Sequence, residues 1–412
     1  MRRTWLACTL IALFAASCGV GDAAVQSWQT QFGSAEDETA FTVAALSDGS
    51  VVTAFSTTGA IRGSNNGNRD VVLMSFDSTG TELWTVQFGG PANDSPLGVS
   101  VSNDDHIYVG GYTEGDLAGT NQGSADVWVA KFEQDGTEQW RRQFGGDQWD
   151  RGFDVTAFDG GVYVSGYTAS VLDPASNRDG FDGFAARFEA DGTQSWIRQF
   201  GTDRTDWGQG SALGPDGGVY VTGYTEGDFA GPSAGDKDAF VVRLDPDGDV
   251  VWVRQFGSAG LDWTQGAGAA DNGGVLVAGS TEGDVSAKNA GGRDALVAAF
   301  NADGTQRFVT QFGTPELDTV FGVSQVGDHI VASGSTAGSL PDTIGGGDAM
   351  LLWLDEDGEI ANRSIIGSEA LDEGTGVAVS PSEAVVYVGY SYGNVSGTNA
   401  GGADIIIGIV AG

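Results

Sequence analysis

The residues best placed to do chemistry in this chain are carboxylates set at fixed intervals. Six residues beyond the Phe of each "QFG" tripeptide stands an acid: Glu38, Asp94, Asp150, Asp206, Asp262 and Asp318, with Asp372 in the same place after Ile366. A second series opens an apolar run each time: Asp70, Asp126, Asp182, Asp238, Asp294, Asp348 and Asp404. A third belongs to the "TEGD" tetrapeptides: Glu114, Asp116, Glu226, Asp228, Glu282 and Asp284. Three kinds of chemistry are open to them. Ca²⁺ takes several oxygen ligands from carboxylates and carbonyls. The candidate ligands are Asp94, Asp150, Asp206, Asp262 and Asp318, with Asp116, Asp228 and Asp284, and Gly-rich loops to supply carbonyls. A close pair could act as acid and base on a glycosidic bond, which would make the chain a hydrolase or lyase acting on polysaccharide. Among 56 acids, however, a close pair arises by chance. Alternatively, each carboxylate accepts backbone N–H groups and pins the entry to its strand, a reading that recurrence in all seven units favours.

Trp149, Trp207 and Trp263 neighbour the first acid series. An indole beside carboxylates suits stacking on a sugar or contact with a protein, and it suits equally an anchor for the loop that carries it. The histidines are only His106 and His329, so a Ser-His-Asp arrangement or a His-rich metal site has little support. Calcium is the one cofactor the residues suggest.

The elements that position these residues follow from a period. The Phe of "QFG" falls at 32, 88, 144, 200, 256 and 312, each step being 56 residues. A fixed period of this size means a repeat architecture in which each unit is one supersecondary element. Within a unit, "LGVSVS", "HIYVGGYT", "DVWVAKF" and "EQWRRQFG" are strand-length runs rich in β-branched and aromatic residues, bounded by Gly, Asp or Asn. Four antiparallel strands (a to d) repeated seven times predict an all-β seven-bladed β-propeller over residues 27–412. The chain begins with a d-type strand ("SWQTQFG") and ends with a c-type strand ("DIIIGIV"), so the first strand is expected to complete the last blade and leave no free edge. Strand parity then places the d-to-a connections and the long b-to-c loops on one face. The short a-to-b and c-to-d turns lie on the other face, with both histidines. All three acid series crowd the loop face as concentric rings. The Trp at the start of each "W..QFG" is expected to pack between blades, and the Gln before its Phe to bond backbone between strands.

"DAFVVRLDPDG…VWVRQFG", "GGVYVTGYTEGDFAG" and their copies resemble the SBBP repeat, the bacterial seven-bladed β-propeller repeat, over about residues 27–410. The resemblance implies a propeller in an extracytoplasmic location and no single activity. The last units depart from it, with Phe308 in place of Trp in one and neither Trp nor "QFG" in the next. "DSTGTELW" is also similar to the tryptophan-docking motif of PQQ quinoproteins. Its copies here read as hairpin turns leading to a packed Trp.

Composition agrees with this architecture. Gly is 67 of 412 residues and Pro only 9, which fits many tight turns between short strands. "MRRTWLACTLIALFAAS" reads as an export signal over residues 1–17. "AASC" resembles a bacterial lipobox, which implies lipidation of Cys18 and a short linker over 18–26 before the propeller. Ordinary cleavage after Ala24 is the alternative. The expected location is therefore an outer-membrane lipoprotein or the cell surface, otherwise secretion. The formal charge is −37. Such a field disfavours nucleic acid and anionic lipid surfaces and suits cations and basic partners. A non-catalytic module that binds a protein or polysaccharide at the cell surface through an acidic loop face is the reading these observations support, with a polysaccharide-active enzyme or a structural surface component as alternatives.

Overall fold

The computed structural model describes residues 26–176 and 180–410. The expected signal peptide, Cys18 and all but the last residue of the 18–26 linker lie outside that range. The described chain forms seven four-stranded antiparallel sheets; six pair their strands in chain order, and the seventh takes its outer strand from the start of the chain. Blade 2 is typical, with strand a at Asp94–Val101, b at Ile107–Thr113, c at Asp126–Phe132 and d at Glu138–Phe144. The a strands of neighbouring blades pack against one another in a closed ring, so they form the innermost layer.

Burial explains the sequence pattern of each layer. Strands b and c are covered on both faces by the adjacent blades. Their sequences are therefore nearly continuous apolar runs, and every residue of Asp126–Phe132 is buried. Strand d is the outer edge, where half-buried and exposed residues mix. Its alternation sends Trp140 and Phe144 toward blade 3 and Arg141 back toward blade 1.

Two features hold the blades in a ring. The first is close approach at the centre. Every a strand carries a β-bulge. In the fourth blade two residues, Gln209 and Gly210, are skipped by the ladder rather than one. The inner backbones come so near one another that a Cβ on Gly266 would lie 2.1 Å from the Phe321 carbonyl oxygen, and one on Gly98 would lie 2.6 Å from the Val155 nitrogen. The second is a set of interblade staples. Trp28, Trp84, Trp140, Trp196 and Trp252 each donate their indole N–H to a carbonyl in the c-to-d turn of the next blade, exactly 50 residues on, at 2.8–3.1 Å. The glycine of that turn has positive φ and lies under the indole: Gly80, Gly136, Gly192, Gly248 and Gly304. The expected packing role of this Trp series is thus a specific dock. Phe308 takes the same place over Gly358 without a hydrogen-bond donor.

The ring closes as strand parity requires. Strand Trp28–Phe32 pairs with Asp404–Val410 and becomes the d strand of blade 7. This closure explains the worn final repeat. Blade 7 has no c-to-d turn, because its c and d strands are the two ends of the described chain. An indole on blade 6 would have nothing to dock on, and Asn362 stands there instead.

Candidate functional site

Strand pairing puts the d-to-a and b-to-c connections on one face, as strand parity predicts. In blade 3, Asp150 at the start of strand a pairs with Thr168 at the end of strand b, which pairs with Asp182 at the start of strand c. Both acid series therefore sit on the loop face, but as buried pairs rather than open rings. Glu38, Asp94, Asp150, Asp206, Asp262, Asp318 and Asp372 are all fully buried, as are Asp70, Asp126 and their counterparts.

The two series meet at the glycine of "QFG". A Cβ on Gly145 would lie 2.4 Å from Asp126 Oδ1 and 3.0 Å from Asp150 Oδ2. A Cβ on Gly257 would lie 2.7 Å from Asp238 Oδ1 and 2.8 Å from Asp262 Oδ2. Only glycine fits between the carboxylates. Each a-strand acid accepts the amide four residues before it: Gly90 to Asp94, Gly146 to Asp150, Thr202 to Asp206, Ser258 to Asp262 and Thr314 to Asp318, all at 2.6 Å. Hydroxyls complete the set, as Thr168 and Ser170 do for Asp150. Burial pushes the carboxyls of Glu38, Asp94, Asp150, Asp262, Asp372 and Asp404 above their ordinary range, and for the first five the neighbouring carboxylate adds to the rise.

The Gln of "QFG" does more than bridge strands. Gln143 Oε1 accepts the amides of Leu117, Ala118 and Gly119, while its Nε2 donates to the Gly115 carbonyl and to Asp126. One side chain thus clamps the b-to-c loop to the strand-opening Asp. Gln87, Gln199, Gln255 and Gln311 repeat the clamp. Nothing in the residue spacing alone signals this role, because the loop amides lie 24–26 residues away. The TEGD acids have a smaller local task. Asp116, Asp228 and Asp284 each accept the amide five residues on, which shapes the loop tip. Among the described residues, no group of three or more Asp, Glu, His or Cys side chains converges on a point that could hold a metal ion.

The three loop-face tryptophans have their faces in use. Trp207 stacks on Tyr167 at 4.2 Å and is ringed by Phe153, Phe181 and Tyr224. Arg293 lies over Trp263 at 4.0 Å, and Arg151 is sandwiched between Trp149 and Tyr112. Only Trp149 is substantially exposed, at 37%. His106 lies on the opposite face, 2.8 Å from Asp104.

The sixth place in the clamp series shows what the frame permits. Blade 6 carries Ile365 where the others have Gln, and its loop is the divergent "TAGSLPDTIGGGD". The frame residues recur because every blade needs them. The b-to-c loops differ more from blade to blade, as Leu117, Leu172, Phe229 and Val285 do at one equivalent place.

These features define an all-β propeller of seven blades closed by its first strand. No protein family's sequence profile matches the chain. It is similar to the WD40 β-propeller domain of Doa1, with a TM-score of 0.51 and 12% identity over 93% of this chain and 95% of that one. It is also similar to a protein of unknown function from Dyadobacter fermentans, with a TM-score of 0.48 and 13% identity over 92% of this chain and 97% of that one. At 12% identity the likeness to the Doa1 domain speaks for the fold alone. A curated relative, Regulatory protein FlaEY of Caulobacter vibrioides, is 26% identical over 169 residues. The match spans 37% of this chain and only 18% of that protein.

Proposed function

We propose that this propeller is an exported, non-catalytic interaction module that presents its loop face outward to a cationic protein partner. The observation that carries the reading is the direction of the two end strands. Trp28 pairs with Ile409 and Phe32 with Ile405, and Phe32 is at the loop face. The strand that enters the fold therefore starts on the short-turn face, and the last strand also ends there. On this reading a tether upstream of Trp28 joins the propeller at the short-turn face and leaves the loop face free for a partner.

Charge selects the class of partner. The formal charge of −37 favours a basic surface. The two strand-opening acid series do not supply the contact, since they are buried; exposed acids such as Asp147, Glu316 and Glu369 do. Glycoside hydrolysis needs two carboxyl groups facing a substrate cleft. The paired carboxylates here enclose a glycine and are sealed from solvent, so the geometry favours binding over hydrolysis.

The test tethers the protein through its N-terminus and measures binding of a soluble cationic polypeptide at several salt concentrations. The triple substitution Asp147→Asn, Glu316→Gln, Glu369→Gln should weaken binding several-fold. The matching change on the short-turn face (Asp247→Asn, Asp271→Asn, Glu356→Gln) should have little effect. Equal losses from both would reduce the interaction to undirected charge attraction and reject the reading.

A further inference from the structure

We propose that the gap between blades 4 and 5 is a receptor for the guanidinium group of an arginine carried by a basic protein segment. The inference rests on the loop-face reading above and gives its partner a chemistry.

The sevenfold repeat supplies its own control. In the first four gaps, the Phe of "QFG" from one blade forms a floor that side chains of the next blade cover. In the first gap the guanidinium of Arg141 lies 3.8 Å above the ring of Phe88. Over Phe144, Leu172 and Ile197 fill the place. Over Phe200, the ring of Phe229 lies nearly parallel at 6.4 Å, and Val253 packs beside it. In the gap between blades 4 and 5 the floor is Phe256. The equivalents of Phe229 and Arg141, each a whole number of 56-residue steps along the chain, are Val285 and Val309. Two valines do not fill the space, and a cavity of about 400 Å³ is left there, lined by Phe256, Val285 and Val309.

The cavity suits the occupant already seen in the first gap. A guanidinium stacks on an aromatic face and is less strongly hydrated than an ammonium, so it is the cation better fitted to such a floor. The walls are polar. Asp238, Gln255, Ser286 and Gln306 line them, and exposed Gln306 stands at the mouth. Asp238 is 1% exposed; its Oδ2 accepts from Ala234 N and Gln255 Nε2, and its Oδ1 has no hydrogen-bond donor. An incoming cation would thus meet an aromatic face and the side-chain amide of Gln306, with the buried carboxylate of Asp238 behind the wall. Gly231, Pro232 and Ala234 form the blade 4 side, where small residues keep the entrance open.

The experiment compares two short peptides, one carrying a single arginine and the other a lysine in its place, by calorimetry at physiological salt. The arginine peptide should bind at least fivefold more tightly. Val309→Arg would copy the first gap and fill the cavity from within. It should abolish the arginine preference while leaving the thermal midpoint unchanged or higher. Val285→Phe, which copies the gap between blades 3 and 4, provides a second closure if the first variant folds poorly. Equal affinity for the two peptides, no binding of either, or a preference that survives both closures would overturn the proposal. Any of these results leaves the loop-face reading standing if the charge substitutions there still weaken binding of the polycation.

Discussion

At the scale of single residues, the fold depends on glycines whose surroundings differ although their backbones match. Gly136 and Gly217 both have φ of +82°. A Cβ at Gly217 would meet nothing within 4 Å, whereas one at Gly136 would lie 2.9 Å from the ring of Trp84. Gly217→Ala should therefore cost only the backbone strain of about 1–2 kcal/mol. Gly136→Ala should cost that and also dislodge an interblade indole, so its denaturant midpoint should fall clearly further. Equal losses would show that the Trp dock contributes nothing. Gln143→Ala leaves three loop amides without their acceptor and should cost about 2–4 kcal/mol, judged from roughly 1 kcal/mol or more for each unmade bond. Hydrogen exchange at Leu117, Ala118 and Gly119 should speed up selectively. The Trp and Gly positions were legible in the sequence because they recur every 56 residues with a chemistry suited to a turn and a packed ring. The role of Gln143 was not, since the repeat shows that a side chain is needed without showing which distant loop it holds.

At the scale of the blade, the seven carboxylate pairs set how stability responds to pH. The folded-state pKa values of Glu38, Asp94, Asp150, Asp262, Asp372 and Asp404 are raised by burial. The folded chain thus holds these protons more tightly than the unfolded chain. The stability they confer is fully present below the unfolded carboxyl pKa and is lost as pH rises through the folded values. Asp154 extends the window. It stands where most other inner strands carry Gly or another small residue, accepts the amides of Val155 and Ser211, and is pushed by burial to about 7. Asp135, Asp191 and Asp303 shift the opposite way but are fully solvated, so they carry little weight. The thermal midpoint should be higher at pH 5 than at pH 8, and 0.5 M salt should not erase the difference, since buried charges are poorly screened. A midpoint that rises with pH would show that the buried pairs are not the controlling groups. Calcium is a separate matter. The a-strand acids already accept amides and hydroxyls, so adding Ca²⁺ after a chelator should move the midpoint no more than Mg²⁺ does. A large calcium-specific rise would mean that the carboxylate pairs recruit main-chain oxygens around an ion. Strand parity gave the face on which these acids lie. It could not give their burial, which depends on how close the loops fold over them.

At the scale of the whole molecule, blade count, strand order and ring closure all followed from the period and the mismatched ends of the repeat. The cavity over Phe256 was within reach of the same reasoning, because comparing Val285 and Val309 with their equivalents 56 or more residues away shows the missing volume. It went unseen without the structure because only stacked blades reveal that those positions face a common floor. The closure itself can be tested. Removing residues 27–33 deletes the d strand of blade 7 and bares the edge of Asp404–Val410, so the protein should unfold or aggregate. A circular permutant that joins Val410 to Trp28 through an Asp-Gly turn and opens in an exposed a-to-b turn should stay monomeric and fold. Failure of the permutant alongside success of the truncation would remove the closing strand from the account of stability.

The closing strand also decides how the molecule bears a mechanical load. If the chain is held at its N-terminal end while a partner pulls on the loop face, tension enters through Trp28 and runs along the strand toward Phe32. That strand's five ladder pairs with Ile405–Ile409 would then be sheared together rather than peeled one at a time. A tethered propeller should therefore resist pulling on its ligand as a clasp does, and its weakest joint should be the grip on the ligand rather than the ring.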